Sequence, residues 1–116
     1  MEDFEDFIEE WSGNREFVHE DGDTIIVPTS YKEFRSDNTL GVKVGTTGYK
    51  GGDSGHGGRS ILKLNNVAST DIKVSINGSG YYDVYEVGIC VGGDAELETL
   101  IKALEYAVVE LKSKAL

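Results

Sequence analysis

Cysteine occurs once in this chain, at Cys90, and proline once, at Pro28. A lone cysteine forms no intrachain disulfide, which rules out a disulfide-stapled secreted scaffold and fits a reducing compartment. Cys90 falls in a strand pattern, where a small buried apolar role is expected and not that of a nucleophile. No apolar run approaches the roughly 18 residues of a membrane-crossing helix. The start of the chain is acidic where a secretory signal is basic, so a cytoplasmic protein is expected. Only His19 and His56 are available as imidazoles.

Basic residues are also scarce, with 11 Lys and Arg against 21 Asp and Glu, for a net charge of −10. Residues 1–24 hold ten acids and one base, residues 25–75 four acids and seven bases, and residues 76–116 seven acids and three bases. A mildly basic middle thus lies between two acidic ends. Those ends disfavour direct binding of bulk nucleic acid, whose affinity comes from neutralised phosphates. They favour a basic protein partner.

The 116 residues suffice for one domain, 1–116, with one modest core. Phe4, Phe7, Ile8 and Trp11 recur at helical spacing, which predicts a short amphipathic helix over residues 1–11. Short strands are expected at 24–27, closed by Pro28, at 40–44, 60–64 and 71–76, with a possible helical turn at 31–35. Asn77-Gly78-Ser79-Gly80 is a hairpin signal, and residues 81–91 form the longest expected strand, with Tyr85, Val87, Ile89 and Val91 on one face. Asp94 is the expected cap of a long closing helix. Leu97, Leu100, Ile101, Leu104, Val108 and Leu111 form its apolar stripe, with Leu104 buried at the centre. Tyr106 and Val109 lie off the stripe and mark a second contact surface, consistent with a homodimer. The fold class is α+β, with a four- to five-stranded antiparallel sheet, a short N-terminal helix and a long C-terminal helix packed on one face.

Glycine is abundant in one place, with seven among residues 45–59. Glycine loses the most entropy on ordering, so this inserted loop is expected to be mobile and functional. Gly52-Asp53-Ser54-Gly55 copies the four residues around a chymotrypsin-like nucleophile. The chain is too short for the two barrels and the oriented His–Asp pair that chemistry needs. Gly58-Arg59-Ser60 echoes the end of a phosphate loop, but a strand follows where a helix should begin. What remains is an anion-binding nest of backbone amides. Lys50, Gly51, Gly52, His56, Gly57, Gly58 and Arg59 are its candidate phosphate ligands, and Tyr49 could stack on a base. Asp53 and His56 lack a third metal ligand, and Asp83 and Glu86 fall on opposite faces of a strand. No cofactor, metal or catalytic residue is expected.

A short acidic domain with one cysteine, no catalytic motif and an idiosyncratic loop resembles small phage- or prophage-encoded anti-defence proteins. These include anti-CRISPR inhibitors and sponges for nucleotide signals. The resemblance implies a non-enzymatic inhibitor in the cytoplasm of a bacterial host. From the placement of charge and the loop, Glu2, Asp3, Glu5, Asp6, Glu9, Glu10, Tyr49 and Asp53 are the expected contacts with a basic, nucleic-acid-handling partner such as a CRISPR effector. The alternative is a binder whose glycine loop cradles a phosphorylated, cyclic nucleotide.

Overall fold

The computed structural model describes residues 9–53 and 55–116. In chain order the elements are β1 (Glu10–Glu20), β2 (Asp23–Arg35), β3 (Thr39–Thr46), β4 (Arg59–Ala68), β5 (Lys73–Val74), β6 (Tyr82–Asp83), β7 (Glu86–Gly92) and α1 (Asp94–Lys114). The fold is α+β. A five-stranded antiparallel sheet runs β1-β2-β3-β4-β7, and β5 and β6 form a separate two-stranded ribbon. Among the described residues seven strands thus stand where four or five were expected. The first eight residues of the predicted N-terminal helix lie outside the described residues, but Glu10 and Trp11 belong to β1.

Pro28 does not close a strand; it lies inside β2, opposite Arg15. Proline leaves a gap in a ladder because it has no N–H. Beside it the Thr29 hydroxyl adds a side-chain link between the strands, accepting from the Glu16 amide at 3.1 Å and donating to the Val27 carbonyl at 2.7 Å. The register also shifts between Ser12 and Asn14, where Gly13 takes a φ of 90°, the positive φ that bulge glycines supply. Residues 31–35, read as a helical turn, continue β2 as strand.

Strands three places apart in a flat sheet lie about 14 Å from each other. Yet Glu16 of β1 reaches Lys63 of β4 at 3.5 Å and Lys43 of β3 at 2.8 Å. Residues of β1 and β7, the two sheet edges, line one cavity of about 230 Å³. The sheet is therefore curled into an open barrel. Its concave side holds Val27, Tyr31 and Ile61, the buried apolar side chains among the described residues. Glycine makes the curl possible at Gly41, where a Cβ would stand 2.4 Å from both Asn65 Oδ1 and the Tyr31 hydroxyl. Cys90, expected to be buried, is exposed at the seam between the two edges.

The helix forms as predicted, but it does not pack on a face of the sheet, and none of its residues is buried. Gly93 alone separates β7 from α1. One residue is shorter than the usual strand-to-helix connection, so the helix runs off the end of the sheet. The radius of gyration is 16.0 Å and the longest dimension 49 Å, whereas a compact chain of this length would have a radius of about 13 Å.

Candidate functional site

The glycine-rich loop joins β3 to β4 and meets the amino end of α1. The Lys50 amide donates to Asp94 Oδ1 at 2.9 Å and the Gly51 amide to Asp94 Oδ2 at 2.6 Å. In return the Asp94 amide donates to the Gly52 carbonyl at 2.8 Å, and the Gly93 amide to that of Gly58 at 2.9 Å. Gly55 donates to the Gly92 carbonyl at 3.1 Å. The close fit demands glycine at Gly58, where a Cβ would fall 2.0 Å from the Gly48 carbonyl oxygen. Two of the loop's backbone amides, those of Lys50 and Gly51, thus hold an anion within the chain, the Asp94 carboxylate. Asp94 is the first residue of the helix, with Gly93 in the cap position. Instead of capping its own helix, it latches the loop. These bonds oppose the mobility expected from the loop's composition.

Arg59, a candidate phosphate ligand, is buried and faces inward. Its Nε and Nη2 pair with the two carboxylate oxygens of Glu20, the latter at 2.7 Å. Nη2 also donates to the Gly55 carbonyl at 3.0 Å, and Nη1 to those of Gly57 and Gly58 at 3.3 and 3.2 Å. All five N–H donors of the guanidinium thus have partners within the chain. Lys50, Gly51, His56 and Gly57 are exposed, Gly52 is half-buried, and Tyr49 and Asp53 are exposed on the outside of the loop.

Three carboxylates are held below their ordinary range. Hydrogen bonding to the Lys50 amide is the main cause at Asp94, to Lys43 at Glu16 and to Arg59 at Glu20. A depressed folded value means stability that is present above the unfolded value of about 4 and lost as pH falls through the lower folded one. The urea midpoint is expected to be flat from about pH 5 to 8 and to fall below about pH 4. Asp94→Asn should make that acid slope shallower and speed amide exchange at Lys50 and Gly51. An identical slope in the variant would show that the latch contributes nothing.

Of the predicted partner-binding acids, Glu2, Asp3, Glu5 and Asp6 lie outside the described residues. Glu9 and Glu10 are exposed beside the start of β1, where Glu10 stands 4.0 Å from Lys32. Tyr106 and Val109 are exposed on α1, but so is much of the stripe, so they are not set apart. Among the described residues no group of three or more His, Cys, Asp or Glu could hold a metal ion. Among the described residues one buried side-chain oxygen, Glu96 Oε1, has no hydrogen-bond partner. It lies in the first turn of α1, where the helix dipole stabilises negative charge.

A second surface was not recognised in the sequence. Residues 81–91 do not form one strand, because β6 ends at Asp83 and β7 begins at Glu86. Val84 donates to the Ile72 carbonyl at 3.1 Å, and the Tyr85 carbonyl accepts from the Asn66 amide at 2.7 Å. The chain steps from ribbon to sheet between them. The ribbon turns at Asn77 and Gly78, both at positive φ, and the Ser79 amide closes it on the Ile76 carbonyl at 3.2 Å. Ile76, Tyr81, Tyr82 and Tyr85 are left in solvent, Tyr85 82% exposed. Where the ribbon joins the sheet lies a hollow of about 300 Å³ lined by Asn66, Thr70, Asp71, Ile72, Asp83, Val84 and Tyr85. Lys73 bridges the two acids, at 2.7 Å from Asp71 and 3.2 Å from Asp83. Tyrosines clustered with asparagine, serine and glycine over residues 77–85 were the available signal, since that composition suits binding surfaces.

No family model matches this chain, nor does a curated protein or a solved structure.

Proposed function

We propose that the chain is a non-enzymatic binding protein that occludes a basic surface of a partner protein. The observation that carries this reading is the ribbon hollow of about 300 Å³, which is lined by two carboxylates and the exposed Tyr85, with Tyr81 and Tyr82 exposed on the same ribbon. Tyrosine supplies large contact area at low entropic cost, and binding hot spots are enriched in it. Asp71 and Asp83 would receive an Arg or Lys of the partner, with Lys73 displaced toward solvent. The net charge of −10 would steer encounter. The general resemblance to anti-defence proteins supplies the partner class: a nucleic-acid-handling component of bacterial anti-phage defence, inhibited by occlusion.

The test uses affinity capture from the native host, with mass spectrometry to identify the partner and surface plasmon resonance on the purified pair. Tyr81→Ala with Tyr85→Ala should weaken binding by roughly 30-fold or more and leave the urea midpoint unchanged. Association should slow as salt rises, because exposed charges are screened beyond about 8–10 Å. Binding insensitive to both changes would reject the ribbon as the contact surface.

A further inference from the structure

Two apolar surfaces of this chain face solvent, and each lacks what the other offers. The first is the α1 stripe. Ile101, Leu104, Val108 and Leu111 are all exposed, from 41% at Leu104 to 69% at Leu111. The second is the convex side of the sheet. The register aligns Val42 with Leu64 and Leu64 with Val87 in one row, and Val44 with Leu62 and Leu62 with Ile89 in the next. These six side chains alternate with the concave core positions, and none of them is buried. Beside them, a cavity of about 500 Å³ is lined in part by Phe34, Val42 and Val44.

We propose that α1 of one copy packs across the convex apolar face of a second copy, and the reverse, forming a two-fold helix-exchanged dimer. A helix with an apolar stripe and a sheet with one apolar face each need an opposing layer. Within one chain they are kept from meeting, because Gly93 is the whole connection and Asp94 is latched to the loop. A second copy supplies both missing layers at once. The contact is isologous, as a two-fold axis requires. The contact occurs twice per dimer, so each copy contributes both a helix and a sheet face to the interface.

Charge agrees with this occupant. Glu105 of α1 and Arg15 on the convex side of β1, in register with Pro28, have no ion-pair partner among the described residues, whereas Glu98 pairs with Lys102 and Lys32 stands 4.0 Å from Glu10. The compactness deficit agrees as well. Among the described residues three buried apolar side chains are few against the conformational entropy of ordering them.

The rival arrangement also uses a second copy. Ile101 and Val108 at one heptad position, with Leu97, Leu104 and Leu111 at the other, would suit a parallel coiled coil. That pairing leaves the convex face uncovered, so the exchange accounts for more of the structure.

The experiment uses the full chain with photo-leucine in place of leucine, prepared as an equal mixture of ¹⁴N and ¹⁵N protein. Light scattering at about 50 µM should give a dimer, and irradiation should link α1 of one isotope to β3, β4 or β7 of the other. Leu62→Glu and Leu104→Glu should each raise the dissociation constant by roughly 100-fold, with circular dichroism checking that the sheet is retained. Mixing the two variants should restore dimers, because one intact helix meets one intact face. A monomer, links within one copy only, or links only from helix to helix would each overturn the exchange. So would a Leu62→Glu variant that is folded and still dimerises as the parent does.

Discussion

Arg59→Met is expected to lower stability by about 3 kcal/mol, near the low end for breaking a buried ion pair. Methionine keeps much of the side-chain length but offers no donor. The carbonyls of Gly55, Gly57 and Gly58 would each lose a charge-assisted bond. Glu20 would lose its partner; its side chain keeps 32% of its surface in water, which holds the cost toward the low end. For a chain of 116 residues the change corresponds to a fall of roughly 10–15 °C in Tm. Arg59→Lys should rescue little, because a point-charge ammonium cannot span a carboxylate and three carbonyls at once. Glu20→Gln on top of Arg59→Met should add much less than it costs alone, as expected for two groups in one network. Calorimetry of the two Arg59 variants, the double variant and Glu20→Gln alone decides the matter. A Tm within 2–3 °C of the parent for Arg59→Met, the shift of less than about 1 kcal/mol, would mean that the guanidinium does not organise the loop.

The loop shows why the site was only partly legible in the sequence. Its glycines correctly announced a place where backbone approaches backbone, as at Gly58 against Gly48. The charges on it were read as offered to a ligand. Their partners lie 39 positions away for Arg59 and Glu20, and 44 and 43 for Lys50 and Gly51 with Asp94. No local pattern records such pairings. Asp94 looked like a cap because aspartate before an apolar stripe usually is one; the loop amides compete for the same carboxylate.

The sheet was more legible than the layer against it. Alternation found β3, part of β4 and much of β7, and the Asn77-Gly78 turn was placed correctly. β1 was missed because Trp11 continued the helical spacing of Phe4, Phe7 and Ile8. In the structure its ring stacks on Tyr31 across the sheet, with centroids 5.3 Å apart. Pro28 hid the length of β2, since proline, which has no N–H to donate, argues against a continuing strand. The α1 stripe was read correctly as apolar, but periodicity shows that a face seeks burial and not which surface will bury it.

Ile61→Ala and Leu104→Ala test that distinction, and they are expected to differ widely in dilute protein. Ile61 is 4% exposed on the concave side, in register with Gly45 and Cys90. Gly45 has no side chain, and a Cβ there would lie 3.0 Å from Val27 Cγ1; the bare glycine leaves room for the core beside it. Removing the Ile61 side chain should leave a cavity that this small core cannot close, at a cost of about 2–5 kcal/mol. That is a large share of the 5–15 kcal/mol typical of a whole domain. Leu104 has the same number of carbons but is 41% exposed, so its truncation in a single copy should cost under about 1 kcal/mol. Urea unfolding well below 1 µM separates the two, since any assembly through α1 would be dissociated there. A large loss for Leu104→Ala under those conditions would place the stripe in an intrachain core, contrary to the structure. A small loss for Ile61→Ala would mean that the barrel interior does not hold the fold together.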